Sequence, residues 1–128
     1  MAKKLHIVCV SGTKEKLQMA SMIASVAAAT GDEVSVFFSM NAVKYFIKGN
    51  KDEAPVEGEF GNLLGKGVPP FRQLFQHAAE LGDASLLPCS MALDLLKISH
   101  DDLDPSFGPP TGLTKFLSDA EGAQLLSF

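Results

Sequence analysis

"KKLHIVCVSG", residues 3–12, is the stretch that decides the fold. After its two lysines comes an uninterrupted apolar run rich in β-branched residues, which is typical of a strand covered on both faces. We therefore predict a buried strand over residues 4–10. Between Thr13 and Gly31 the apolar residues recur at helical spacing, so a helix is predicted directly after the strand. A buried strand that leads straight into a helix is the first half of a βαβ unit.

The remainder of the chain repeats this alternation. Strands are predicted over residues 32–39, 84–88 and 123–128. Helices are predicted from Met40 to about Ile47, over 68–83, directly after residue 88, and over 111–120. Because parallel strands joined by right-handed crossovers carry helices on both faces, the pattern predicts a three-layer α/β/α fold. Its sheet is expected to be mainly parallel and to contain four or five strands.

One segment shows neither the helical nor the strand spacing of apolar residues. Residues 49–67, "GNKDEAPVEGEFGNLLGKG", are rich in glycine and acidic residues. An irregular segment of this length in a small domain is usually a functional flap or a floppy insertion. The 128 residues as a whole are expected to form a single domain.

The composition of the chain bears on which binding partners and which cellular compartment we expect. The formal net charge is −4 and the basic residues are scattered, so neither nucleic acid nor an anionic membrane is an expected partner. No apolar run approaches the ~20 residues of a transmembrane helix, and the start is too short for a secretion signal. We therefore expect a cytoplasmic protein. Two cysteines in such a chain do not predict a disulfide framework.

Candidate site residues fall where the predicted strands end. In parallel sheets ligands bind beyond the carboxyl ends of the strands. That rule gathers the following residues at one edge: Ser11, Gly12, Thr13, Met40, Asn41, Cys89, Ser90, Thr111 and Gly112. The amides that follow Ser11 open a helix and are candidates for holding an anion, whereas a side-chain helix cap by Ser11 or Thr13 is the alternative.

Cys89 is the candidate catalytic residue. In "LLPCSMALDLL", residues 86–96, it stands at the start of a predicted helix, where unpaired N–H groups and the macrodipole favour a negatively charged sulfur. Asp94 opposes this effect because its carboxylate competes for the same positive end. The alternative is that Cys89 is a small buried hydrophobic residue.

The remaining thiol and the histidines are assigned structural roles. Cys9 lies inside the first strand and is expected to be buried filler; a resolving role would require its Cα within ~7 Å of that of Cys89. His6, His77 and His100 share no metal-ligand spacing with each other or with the cysteines. The sequence therefore predicts no metal site, and the absence of a dinucleotide fingerprint after the first strand leaves no cofactor to expect.

A family resemblance adds to these inferences. The chain resembles the DsrE/DsrF-like family, in particular its DsrE-like sulfurtransferase branch, which is often labelled peroxiredoxin-family. The similarity is carried by "IVCVSGTKEKLQMASMIASVAAATGDEVSVFFS", "GVPPFRQLFQHAAELG", "CSMALDLLKI" followed by "DDL", and "PTGLTKFLSDA". The sequence departs from many relatives at Met40-Asn41, Ala92 and Lys97, which bears on substrate choice. A peroxidatic cysteine needs an upstream threonine that "GDASLLPC" lacks, so peroxide reduction is not expected.

The resemblance implies a function. In such proteins the cysteine at the position of Cys89 accepts sulfane sulfur as a persulfide and relays it to TusA-like sulfur carriers or rhodanese-type proteins. The family also implies a homo-oligomer, as a trimer, tetramer or hexamer. The competing hypothesis is a non-catalytic interaction subunit with a buried Cys89. In that case the apolar side chains of Phe71, Phe75, Phe107 and Phe128 would be exposed and form the interface.

Overall fold

The computed structural model describes residues 3–65 and 67–128, so Met1, Ala2 and Lys66 lie outside the described residues. At its centre is a sheet of four parallel strands with the spatial order β3-β2-β1-β4. Their bounds are Lys4–Cys9 for β1, Glu33–Phe38 for β2, Ser85–Pro88 for β3 and Gln124–Ser127 for β4. The predicted mainly parallel sheet is thereby confirmed.

Two long helices cover one face of this sheet. They are α1 (Lys14–Ala29) and α2 (Phe71–Gly82), which pack side by side against each other. The side chains that alternate toward this face are buried apolar residues. On β1 and β2 they are Leu5, Ile7, Cys9, Val34, Val36 and Phe38. This face therefore holds the main hydrophobic core.

The opposite face is covered more thinly, by α4 (Leu113–Asp119). Its buried Phe116 contacts the rings of His6 and Phe37, which alternate with the core residues of β1 and β2 and so point the other way. With helices on both faces the architecture is three-layer α/β/α, as predicted. A further short helix, α3 (Ser90–Leu96), directly follows β3.

An aromatic cluster joins the sheet to α2. The ring of Phe38 lies 4.8 to 5.0 Å from those of Phe46, Phe75 and Phe107, and Phe71 contacts Phe46. Each of these five rings is buried. The expectation that Phe71, Phe75 and Phe107 are exposed at an interface is therefore wrong. The helical spacing correctly marks an apolar face, but the chain itself covers that face.

The irregular segment is docked rather than extended into solvent. Residues 49–65, which we call the strap, cross the start of α1 and contain a 3-10 helix at Glu59–Asn62. The Glu15 carboxylate accepts hydrogen bonds from the amides of Glu57 and Gly58 at 2.9 and 2.8 Å. The amide of Lys14 donates to the Pro55 carbonyl at 2.8 Å. These contacts close the strap over the amino-terminal turn of α1.

The boundaries of several elements differ from the predicted ones. The segment after β2 is a 3-10 helix, Met40–Phe46, and not an α-helix. The last helix begins at Leu113 rather than Thr111, because Thr111 pairs with the end of β3. A third 3-10 helix, His100–Asp102, lies in the acidic turn.

Candidate functional site

The carboxyl ends of β1 and β2 bring two of the predicted site loops together. The amide of Ser39 donates to the Cys9 carbonyl at 3.0 Å, and the amide of Asn41 donates to the Val10 carbonyl at 3.2 Å. Gly12 then passes so close to Asn41 that a Cβ at residue 12 would lie 2.7 Å from the Asn41 carbonyl oxygen. Its backbone is also left-handed, with φ of +69°. Only glycine meets both conditions without strain.

Cys89 lies at the carboxyl end of β3 and caps the start of α3. Its amide donates to the Phe38 carbonyl at 2.8 Å, and its carbonyl accepts from the amide of Leu93 at 3.0 Å. The backbone is thus held on both sides, by the sheet and by the helix. The side chain makes no capping hydrogen bond, and the residue is only 5% exposed. The position of Cys89 at the carboxyl edge of the sheet agrees with the sequence expectation. Its burial agrees with the alternative, in which Cys89 is a small buried hydrophobic residue.

Thr111 acts as a one-residue strand beside Cys89. The two residues form a parallel bridge, in which the amide of Thr111 donates to the Pro88 carbonyl at 2.8 Å and the amide of Ser90 donates to the Thr111 carbonyl at 3.0 Å. One amide of the first turn of α3 is therefore used by the scaffold. Within residues 3–65 and 67–128, the amides of Met91 and Ala92 donate no backbone hydrogen bond. Gly112 follows as the cap residue of α4.

The strap occupies much of the predicted anion site at the start of α1. Thr13 is the cap residue, but its hydroxyl donates to the Glu57 carboxylate instead of accepting from the helix. The amide of Lys14 is taken by Pro55, and that of Ser11 donates to the Phe128 carbonyl at 3.2 Å. The Ser11 hydroxyl accepts from the Lys16 ammonium at 3.5 Å. Side-chain capping of α1 by Ser11 or Thr13 is therefore not present.

Met40 stands at the edge in an unusual conformation. Its φ of +52° lies in the left-handed region, which residues other than glycine, asparagine and aspartate rarely adopt, and the residue is 58% exposed. β2 ends at Phe38, and after Ser39 the 3-10 helix begins with Met40. The sequence singled out Met40-Asn41 as a departure from the family pattern, and the backbone is strained at that position.

The candidate residues form two neighbouring groups rather than one pocket. Ser11, Gly12 and Asn41 lie together at the ends of β1 and β2, whereas Cys89, Ser90 and Thr111 lie at the end of β3. In the register of the sheet, Cys9, Phe38 and Pro88 are side by side. Two strand spacings of about 4.8 Å thus separate β1 from β3, or roughly 10 Å.

This register answers the question about a second thiol. A disulfide requires the two Cα atoms to lie within ~7 Å of each other. Because β1 and β3 are roughly 10 Å apart, Cys9 on β1 is too far from Cys89 at the end of β3. Cys9 also points into the core beneath α1, where it is 1% exposed. Burial raises the pKa of Cys9 to about 12, which keeps it a neutral thiol at physiological pH. Cys9 is therefore a structural residue, as the sequence predicts.

In the part of the chain that the structure describes, no three side chains of His, Cys, Asp or Glu converge as metal ligands. No helix among residues 3–65 and 67–128 has both the length and the apolar character to cross a bilayer.

Sequence reasoning treated His6 as an ordinary structural residue, and its environment is not ordinary. The imidazole is 2% exposed, and its Nδ1 has no hydrogen-bond partner among the described residues. Burial lowers the pKa of His6, and the Lys4 ammonium lowers it further. The available signal was its placement: His6 follows Lys4 on the face of β1 that alternates with Leu5 and Ile7.

Comparisons with known proteins agree with this architecture. Among solved structures, the protein of unknown function MTH1491 from Methanobacterium thermoautotrophicum has a TM-score of 0.72 at 9% identity, over 98% of this chain and 99% of that one. The ychN protein from E. coli has a TM-score of 0.71 at 16% identity, over 100% of both chains. At these identities the likeness is one of fold. No curated protein sequence gives a significant match.

The family assignment comes from a sequence-family model that covers almost the entire chain. The model described as the DsrE/DsrF-like family matches residues 3–126, a span that includes all four strands of the sheet up to Leu126. The resemblance noted in the sequence is confirmed, and this chain belongs to the DsrE/DsrF-like family.

Proposed function

We propose that the chain is a sulfur-transfer protein that carries sulfane sulfur as a persulfide on Cys89. Membership in the DsrE/DsrF-like family supports a sulfur-relay role in the broad sense. The observation that favours Cys89 as the carrier is its position at the carboxyl end of β3, where ligands of parallel sheets bind. Its core counterpart, Cys9, is neutral and enclosed, so Cys89 is the better candidate of the two thiols.

The chemistry requires two exchanges and no net oxidation. The Cys89 thiolate attacks the outer sulfur of a donor persulfide, a Cys89 S–S bond forms, and the donor leaves as its thiolate. An acceptor thiolate then attacks the outer sulfur and Cys89 leaves in the same way. Amides of Met91 and Ala92, which donate no backbone hydrogen bond among the described residues, are available to stabilise the negative sulfur.

Burial sets a condition on this proposal. At 5% exposure, Cys89 must become accessible before a donor sulfur can reach it. Thr111 is the segment paired with Cys89 at the outer edge of β3, and it is held there by two hydrogen bonds. Displacement of this short edge would be a small local opening rather than unfolding of the sheet.

Mass spectrometry after incubation with a persulfide or polythionate donor tests the proposal. We expect the peptide containing Cys89 to gain roughly 32 Da, the mass of one sulfur atom in a persulfide. The Cys9→Ser variant should gain the same mass and the Cys89→Ser variant should not. If wild-type protein gains no sulfur under conditions that load an established carrier, Cys89 is not a sulfur carrier.

The donors and acceptors belong to the same proposal. We infer that a TusA-like sulfur carrier or a rhodanese-type protein exchanges sulfur with Cys89, and that the chain acts as a homo-oligomer. Sulfur on Cys89 should then move to such a carrier when the two are mixed, and both should show the change by intact mass. Retention of all sulfur on Cys89 in the presence of each carrier would rule out this set of partners.

The burial of Cys89 keeps a second candidate function, a non-catalytic interaction subunit. Thiol labelling separates the two functions, because a carrier must expose Cys89 and a scaffold need not. Labelling of Cys89 in the folded protein much faster than that of Cys9 favours the carrier. Equal, slow labelling of both thiols favours the scaffold.

A further inference from the structure

A polar row crosses the sheet face that α1 and α2 do not cover. His6, Ser35 and Ser85 stand side by side on β1, β2 and β3, and Lys4 pairs with Glu33 in the row below. Positions inside a parallel sheet that is covered on both faces are usually aliphatic. Polar residues on three adjacent strands indicate a surface that is built to meet polar groups.

This row forms the floor of a cleft of about 430 Å³. The walls come from α4, which contributes Lys115 and Asp119, and from the loop that contributes Pro109 and Thr111. A volume of this size falls in the range of small-molecule sites. The cleft is thus large enough for a ligand of a few residues, and the sulfur-transfer proposal above does not use it.

Within the part of the chain that the structure describes, His6 places a buried, unpartnered polar side chain in this floor. The imidazole lines the cleft and is 2% exposed, and it stacks on Phe116 with 4.5 Å between ring centroids. Its Nδ1 has no hydrogen-bond partner among the described residues. Buried polar atoms without a partner are rare in native proteins, so His6 marks this floor as a place where a polar partner would be stabilising.

The charges of the cleft identify the class of ligand. Lys4 and Lys115 supply two positive charges, and Glu33 and Asp119 supply two negative ones. Lys115 already pairs with Asp119 at 2.8 Å, and both of these side chains are exposed. A ligand must exchange this surface pair, and a simple anion would meet both carboxylates, so the cleft favours a molecule that carries an ammonium together with carboxylate groups. The hydroxyls of Ser35 and Ser85 suit the peptide groups between such charges.

The upper end of the cleft adjoins Cys89. Leu87 lines the cleft and lies two residues before Cys89, on the same side of the strand and about 6.6 Å away. Thr111 also lines the cleft and is paired with Cys89 in the parallel bridge. A ligand that fills the cleft from Lys4 to Thr111 would therefore end next to the candidate sulfur carrier.

We propose that this cleft binds a short zwitterionic peptide thiol. This inference rests on the proposed function, because the bound thiol would accept the outer sulfur of the Cys89 persulfide. Its thiolate attacks the outer sulfur of the Cys89 persulfide, a new S–S bond forms on the peptide, and the Cys89 thiolate is released. Charge and atoms balance without an added oxidant or reductant.

Calorimetric titration with S-methylglutathione tests the binding without any sulfur transfer, because the methyl group blocks the probe's sulfur. The protein used is the Cys89→Ser variant, so binding does not depend on a persulfide. We expect saturable binding that weakens roughly tenfold in Lys115→Ala, through loss of one charge-assisted contact. A smaller loss is expected in Ser85→Ala. Both side chains are exposed, so neither substitution disturbs the core.

Lys16→Ala is the matched control, because Lys16 is a helix lysine in a surface ion pair and does not line the cleft. It should bind the probe as tightly as the parent. Absence of binding, or equal affinity in all variants, would overturn the peptide site. If Cys89 loads sulfur but the probe does not bind, this inference fails and the proposed function stands. If the probe binds with the expected pattern but Cys89 never loads, the site stands and the sulfur-transfer function fails.

Discussion

Replacing Gly12 by alanine tests whether the edge of the sheet is held together by the close approach of Gly12 to Asn41. The left-handed φ of +69° costs alanine about 1–2 kcal/mol relative to glycine. The added Cβ would lie 2.7 Å from the Asn41 carbonyl oxygen and 2.9 Å from its Cβ, and such overpacking typically costs about 1–3 kcal/mol. Reduced freedom of the unfolded chain returns about 0.4–1 kcal/mol. Together these contributions lower the free energy of unfolding of Gly12→Ala by about 1–5 kcal/mol, and we expect a value near the middle of that range.

Urea unfolding followed by far-UV circular dichroism measures this change, with the midpoint shifted and the slope unchanged. Gly112→Ala is the control, because Gly112 has an ordinary φ of −83° and no atom within 4 Å of a built Cβ. It should alter the free energy of unfolding by less than about 0.5 kcal/mol. Equal midpoints for the Gly12 and Gly112 variants would show that the edge adapts freely, and the argument from close approach would then be refuted.

Three further predictions concern ionisable groups. Because burial raises the pKa of Cys9 to about 12, the folded Cys89→Ser protein should resist iodoacetamide at pH 8 (labelling rate by mass spectrometry); prompt labelling would contradict the burial. The pKa of Glu15 is lowered mainly because the amide of Glu57 donates to its carboxylate, so the strap is held at neutral pH and released as the pH falls through that lowered value. Glu15→Gln should therefore speed proteolysis of the strap at pH 7, and unchanged cleavage would count against this contact. The pKa of His6 is lowered by burial and by Lys4, against the opposing carboxylates of Asp119 and Glu33, so stability should fall as the pH drops below about 6.5, where the unfolded chain takes up the proton first. The test is the urea midpoint measured between pH 5 and 8 in the parent and in His6→Phe. The same pH dependence in both proteins would refute this prediction.

The sheet was predictable because burial on two faces leaves a local signature. The run after Lys4 and the run before Met40 are apolar and β-branched, and each becomes a parallel strand. The carboxyl-edge rule correctly brought Asn41 next to Gly12 and Thr111 next to Cys89, because it depends on topology alone.

The remaining features depend on contacts between distant residues. Docking of the strap requires the Glu15 carboxylate to meet the amides of Glu57 and Gly58, and no period in the sequence records such a pairing. Thr111 pairs as a single residue, which is too short to produce a strand pattern. Thr111 lies beside the buried Cys89, so the exposure of Cys89 depends on a contact that the sequence does not record.

The bridge between Cys89 and Thr111 has a consequence for how the chain tolerates change. Residues 90–110 leave the sheet at one end of this bridge and return at the other, with hydrogen bonds pinning both ends. Lengthening a segment whose ends are already joined adds little closure entropy. Leu93, Leu103 and Phe107 of this segment are buried in the core, so we expect changes in length to be tolerated only at its exposed residues 94–97, while Cys89 keeps its position at the end of β3.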